Sequence, residues 1–312
     1  MVHFKYVFKK IRFSAPGVFE KSKIKGRWMM EPFIRNAIDQ QPERFELEAW
    51  RDLAPGLSAG FTGRGGGVSK PPYGSLNLAY HVGDDPSDVL ENRGRLARAL
   101  GFSPEGWTCG EQVHGAQIAI VRQEDRGKGY LDRSSAFQAT DGLLTNVPEV
   151  LLASFYADCV PLYFADPVTK TVGLAHAGWK GTVQLIAGKM IETMEREFGS
   201  RRSDIRTAIG PSIGECCYEV DEAVMGKVRE ALPGAAPDMQ GEPISTPSKN
   251  EGKTMLNLKE MNRIIMIKAG ILPTHIECTT WCTSCRPEMF FSYRKHNGVT
   301  GRMASWIGMK ER

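Results

Sequence analysis

Several apolar runs in this chain are continuous rather than alternating: "EVLLASFY" at 149–156, "TVGLAH" at 171–176 and "IRTAIG" at 205–210. A strand with one wet face alternates apolar and polar residues, so unbroken runs belong to strands covered on both faces. "AQIAIV" (116–121) and "HIECTTWC" (275–282) add two more β-rich runs. Four helix patterns lie between or beside them. "SDVLENRGRLARALG" offers Ser87 as N-cap and Gly101 as stop. "TVQLIAGKMIETMEREFG" runs from Thr182 to Gly199, with Leu185, Ile186, Met190, Ile191 and Met194 on one stripe. "DEAVMGKVREAL" is capped by Asp221, and "NLKEMNRIIMIKAG" pairs Asn257 with Glu260 at capping-box spacing before Gly270. Strands interleaved with helices predict an α/β class: one domain over residues 30–312, with a mixed sheet and flanking helices. Residues 233–253, dense in Pro, Gly and Ser, read as a surface excursion.

The formal charge of +4 is unevenly placed. Residues 1–29 hold eight Lys or Arg and one acid, Glu20; that segment alone carries +7, which leaves −3 for the rest. A mildly acidic body gives no electrostatic footprint for nucleic acid. No apolar run approaches the roughly 20 residues that span a bilayer, so no membrane partner is expected. Residues 1–29 also lack the apolar core of a secretory signal. Met29 and Met30 stand where globular patterning begins, so 1–29 reads as a basic extension, disordered or upstream of the native start. Seven cysteines, an odd number without a secretory signal, point to a reducing, cytoplasmic setting.

Three residues could share one ion: His114 in "GEQVHGAQ", Cys159 in "YADCVPL" and His176 in "LAHAGWKG". Each sits at the edge of a predicted strand, where side chains from different parts of a sheet converge. Imidazole nitrogen and thiolate suit zinc, and three protein ligands leave a fourth tetrahedral position open, the catalytic pattern. Such a centre lowers the pKa of a bound water to about 7. Spacing alone leaves the plain alternative open, in which Cys159 is a small buried hydrophobe and each histidine a satisfied polar residue.

Taken together, "EQVHGAQ", "ADCVPL", "HAGWKGT" and "CTSCRPEMFFSYRKHNGVTGRMASWI" resemble the family of multicopper polyphenol oxidase or laccase-domain proteins, now described as purine nucleoside phosphorylases with adenosine deaminase activity. The resemblance runs from about residue 60 to residue 307. It implies zinc bound by His114, Cys159 and His176; one thiolate and two imidazoles could also take copper as a substitute, because Cu(II) outcompetes zinc at most such sites. It implies phosphorolysis of adenosine, inosine, guanosine and S-methyl-5′-thioadenosine, and deamination of adenosine. The fold it implies is a single α/β domain of the type shared with toxin deamidase-like cysteine hydrolases. Oligomeric state is not legible.

Phosphorolysis needs an anion site, and "TGRGGGVS" offers Arg64, three glycines and Ser69 for it. The same segment could equally be a flexible turn, and the family's usual Thr before the arginine is Gly63 here. Asn77 is a candidate for a ribose hydroxyl, and Arg294 in "FFSYRKHNGVTGR" for a second phosphate contact. Asp158, beside Cys159, is a candidate proton acceptor or ligand-orienting group. His81 and Trp179 read as structural. Cys278, Cys282 and Cys285 read as buried reduced thiols, and the adjacent pair Cys216–Cys217 as structural.

Two other functions use the same residues. A four-copper oxidase needs more imidazole ligands than six histidines with no His-x-His pair supply. A metal-free cysteine hydrolase, acting as an amidase on cell-wall precursors, would use His176 to activate Cys159.

Overall fold

The computed structural model describes residues 21–24, 27–233 and 243–311. The chain divides into two units, Met1–Glu31 and Pro32–Arg312. In the first, Lys21–Ile24 pairs antiparallel with Arg27–Met30. The remainder of the predicted basic extension lies outside the described residues.

The second unit holds two six-stranded mixed sheets where the sequence suggested one. The first runs in the order Ile276–Cys278, Arg206–Ile209, Val160–Asp166, Thr171–Ala177, Gly142–Thr145, Ile118–Ile120, antiparallel except at its two edges. The second runs Ile34–Asn36, Arg44–Glu46, Leu57–Thr62, Met303–Met309, Leu151–Tyr156, Trp107–Cys109, with only the last pair parallel. A small three-stranded sheet, Glu219–Asp221, Lys253–Leu256 and Ser245–Pro247, takes up part of the predicted 233–253 excursion.

Why the apolar runs are unbroken is visible in how neighbouring residues divide between cores. Along Leu151–Tyr156, Leu152 and Tyr156 enter the core between the sheets, while Leu151, Ala153 and Phe155 face a second core beneath the helix Pro86–Leu100. Along Val160–Asp166, Tyr163 and Ala165 join the inter-sheet core; Val160, Leu162 and Phe164 turn to a third, under the helices Ile186–Phe198 and Leu258–Lys268. Each strand is therefore apolar on both faces, and the layers run helix, sheet, sheet, helices.

The helix ends refine the sequence reading. Asp85, not Ser87, caps Pro86–Leu100, because Pro86 takes the first helical position and Asp85 Oδ1 accepts from Ser87 N. The segment predicted to start at Thr182 is two helices, Trp179–Val183 and Ile186–Phe198, broken at Leu185, whose φ is 60°. Asp221 and Asn257 cap as expected, accepting from Val224 N and Glu260 N. Among the described residues no helix is long and apolar enough to cross a membrane.

Candidate metal centre and cleft

Val160–Asp166 and Thr171–Ala177 form a hairpin in which Pro161 faces His176 and Val160 faces Ala177. Extending that register by one residue sets Cys159 opposite Gly178. Cys159 and His176 are then diagonal neighbours at the hairpin mouth, close enough for their side chains to meet. Their spacing in sequence is a hairpin spacing. His114 arrives from the loop beyond Trp107–Cys109, with φ at 61°. The donor atoms of His114, Cys159 and His176 all lie within 4.8 Å of one another, and the two imidazole rings stand 4.8 Å apart at 76°.

Asp141, which no sequence pattern singled out, organises this trio. His176 Nδ1 donates to Asp141 Oδ1 at 2.8 Å, which leaves Nε2 for a ligand. The same carboxylate accepts from the backbone N–H of Val113, His114 and Gly115 at 3.2, 3.1 and 2.7 Å, fixing the loop that carries His114. Burial opposes the charge on Asp141, but His176 and these N–H groups outweigh it and hold its pKa below the ordinary value. Burial likewise opposes a Cys159 thiolate. The His176 charge and hydrogen bonds from both imidazoles bring Cys159 down to about 6. His176, also disfavoured as a cation by burial, is raised to about 9 by Cys159 and Asp141. An anionic sulfur between two nitrogen donors is the donor set of a zinc or copper site.

The space around the trio fits an ion held by it. A Cβ added to Gly178 would lie 3.0 Å from His114 Cδ2 and 3.1 Å from Cys159 Sγ. Only glycine at the start of the Trp179–Val183 helix lets ring and sulfur approach from that side.

The trio opens into a cleft of about 590 Å³, a size suited to a small-molecule ligand. Asp158, Arg294, His81 and Trp179 line it, as do Arg93, Arg133, Arg302, Tyr218 and Tyr293, none of which the sequence marked as a site residue. Arg133 is paired with Glu111 at 2.7 Å, but Arg93 and Arg302 have no ion pair among the described residues. Arg93 is buried, donating to the carbonyls of Leu78, Gly129 and Tyr130 and lying over the Tyr80 and Phe155 rings. Arg302 donates to the carbonyls of Thr300 and Gly301. His81 keeps contact with solvent at the cleft, yet the surrounding protein atoms, then Arg302, Arg133 and Arg93, push it down to about 4. Arginines therefore crowd this side of the cleft, and His81 beside them is held neutral.

Asp158 is 8% exposed and held on both oxygens: Thr283 Oγ1 donates to Oδ1 and the Arg294 backbone N–H to Oδ2, each at 2.7 Å. The Arg294 side chain donates to the carbonyls of Cys217 and Glu219 and lies over Tyr218.

Arg64, Ser69 and Asn77 are placed outside the cleft lining. Arg64 spends its guanidinium on the carbonyls of Gly74 and Pro287 and stacks on Phe291. Ser69 Oγ accepts from Asn92. The glycines beside Arg64 serve close packing: a Cβ on Gly66 would strike the Gln41 carbonyl at 2.0 Å, and one on Gly67 the Ser75 carbonyl at 2.2 Å. Asn77 is fully buried, but its Oδ1 accepts from Arg302 N at 2.9 Å, so it acts on the cleft through that backbone. The cysteine reading also changes, because Cys216 and Cys285 are exposed and Cys278 is only partly buried.

Residues 58–310 match the family described as multi-copper polyphenol oxidoreductase laccase. The chain is 46% identical over 274 residues to the purine nucleoside phosphorylase YlmD of Geobacillus stearothermophilus, covering 88% of this chain and 98% of that one. The purine nucleoside phosphorylase YlmD of Bacillus subtilis is 44% identical over 253 residues, covering 81% of this chain and 88% of its own. The crystal structure of YlmD from Geobacillus stearothermophilus superposes with a TM-score of 0.82 at 43% identity, over 90% of this chain and all of that one.

Proposed function

This chain belongs to the multi-copper polyphenol oxidoreductase laccase family, and within it we propose a zinc-dependent purine nucleoside phosphorylase that also deaminates adenosine. Its substrates on this reading are adenosine, inosine, guanosine and S-methyl-5′-thioadenosine, each with phosphate. The observation that carries it is the opening of a His114–Cys159–His176 donor set onto a cleft with unpaired arginines and aromatic walls. The naming of the YlmD relatives as purine nucleoside phosphorylases supports the same reading.

In phosphorolysis a phosphate oxygen bonds to C1′ of the ribose while the glycosidic C–N bond breaks and its electron pair leaves with the purine. The phosphate is gripped, on this proposal, by Arg302, which has no ion pair among the described residues, while Arg133, paired with Glu111, adds charge at the same cleft. Their charges sit where Arg64 does not reach, and guanidinium matches phosphate through paired N–H donors. Trp179, Tyr218 and Tyr293 bound the cleft with rings that suit a planar base. Asp158, held by Thr283 and Arg294, keeps a carboxylate oriented beside Cys159. His114, Cys159 and His176 would hold the zinc, which supplies Lewis-acid polarisation when bound. The neutral His81 can accept or donate a hydrogen bond at the cleft without adding charge.

One observation favours a second reading. Cys159, His176 and Asp141 also stand in the thiol–imidazole–carboxylate relation of a cysteine hydrolase. The metal reading is preferred because that relation leaves His114 without a role. A multi-copper centre is disfavoured, because the only histidine-containing group among the described residues that could hold a metal has two histidines. The test is inosine cleavage by the purified protein with and without phosphate. Hypoxanthine and ribose 1-phosphate formed only with phosphate are expected; cleavage indifferent to phosphate would overturn the assignment.

A further inference from the structure

A second cluster of sulfurs lies apart from the three-ligand centre. The Sγ atoms of Cys216, Cys217, Cys282 and Cys285 all lie within 4.8 Å of one another. Cys285 Sγ is 3.4 Å from Cys216 Sγ and also 3.4 Å from Cys217 Sγ. Zinc–sulfur bonds of about 2.3 Å in a tetrahedron set the sulfurs about 3.8 Å apart, so this grouping has the span of one tetrathiolate ion. We propose that Cys216, Cys217, Cys282 and Cys285 bind a structural zinc ion.

The cluster is not arranged for disulfides. A bond would need about 2.05 Å between one chosen pair, whereas Cys285 is equidistant from two adjacent partners, and all seven cysteines are free. A tetrahedral cation uses all four at once. Adjacent cysteines contribute together because the chain turns tightly here, with Cys217 N and Tyr218 N both donating to the Gly214 carbonyl. Gly214 completes the support. Its N–H donates to Cys282 Sγ at 3.2 Å, the outer contact that steadies a thiolate ligand. A Cβ there would come 3.3 Å from Cys216 Sγ and 3.5 Å from Cys282 Sγ. Four ligands close the coordination shell, which marks a structural rather than a catalytic ion.

Its position gives that ion a task. The two cysteine-bearing loops are already joined by the Ser212–Cys282 bridge and by Thr283 N donating to Ser212 O. Thr283, inside the Cys282–Cys285 loop, is the residue that holds Asp158. The Cys217 carbonyl accepts from Arg294, whose backbone holds the other Asp158 oxygen. Zinc at the four sulfurs would staple both loops and so fix the carboxylate beside the catalytic centre.

Metal analysis and cobalt substitution of the full chain test this. Two zinc ions per chain are expected in the unaltered protein, one in Cys159→Ala, and one in the Cys216→Ser/Cys285→Ser double variant. Cobalt-loaded Cys159→Ala, which leaves the cluster intact, should hold one cobalt with the intense charge-transfer absorption of a tetrathiolate. Absence of metal and of that absorption in Cys159→Ala overturns the proposal, as does a disulfide among these four cysteines in peptide maps of the native protein. A single zinc lost with Cys216→Ser/Cys285→Ser but kept in Cys159→Ala would sink the three-ligand centre and leave this site standing.

Discussion

Asp141 accepts from His176 Nδ1 at 2.8 Å, and the same carboxylate accepts the backbone N–H of His114 at 3.1 Å. One side chain therefore orients one proposed metal ligand and anchors the loop of another. Asp141→Asn keeps the shape but loses the charge. Outer-shell changes of this kind cost about 10–100-fold in metal affinity. Competition with a chromophoric chelator should read that loss, with nucleoside cleavage restored by excess zinc. Unchanged affinity would remove Asp141 from the account.

Gly178→Ala tests the shape of the centre. The added methyl meets His114 and Cys159 at 3.0–3.1 Å, so ring and sulfur must separate. Overpacking of this sort costs about 1–3 kcal/mol. Thermal unfolding should drop by a few degrees and metal content at the three-ligand centre should fall, while the helix Trp179–Val183 stays formed.

Arg302→Ala and Arg64→Ala separate phosphate binding from scaffolding. Losing a charged hydrogen bond to phosphate costs about 1.5–3 kcal/mol, so Arg302→Ala should raise KM for phosphate about 10–100-fold and spare adenosine deamination. Arg64→Ala instead deprives the carbonyls of Gly74 and Pro287 of their donor. It should lower Tm and leave KM for phosphate unchanged. The reverse pattern would return the anion site to the glycine-rich loop.

Chelation distinguishes the two chemistries that Cys159 can serve. Removing metal should abolish inosine cleavage, and zinc should restore it. A thiol hydrolase would keep its activity in chelator and yield a covalent acyl adduct on Cys159 under mass spectrometry.

How far the sequence could be read depended on whether the signal was local. Unbroken apolar runs announced strands covered on both faces, and Leu151–Tyr156 and Thr171–Ala177 lie where those runs do. Val160–Asp166 is absent from the strands read in the sequence; it carries Pro161, a residue unfavourable inside a strand, which the fold places at the second pair from the hairpin mouth, opposite His176. The division into two sheets was not legible, since a run apolar on both faces does not say whether helices or another sheet cover it. His114, Cys159 and His176 were recognisable as motifs. Asp141, Arg93 and Arg302 were not, because an acid or arginine gains its role only when distant loops meet. Arg64 misled for the converse reason: the glycines beside it are there for the Gln41 and Ser75 carbonyls. The four-sulfur cluster joins residues nearly seventy positions apart through the Ser212–Cys282 bridge, which no spacing foretells.

Crystals of the zinc-loaded chain, measured on either side of the zinc absorption edge, put the account to its most direct test. An anomalous peak is expected about 2.0–2.3 Å from a nitrogen of His114, a nitrogen of His176 and the sulfur of Cys159, absent from Cys159→Ala together with inosine cleavage. A fully active protein with no peak among those three atoms would contradict it.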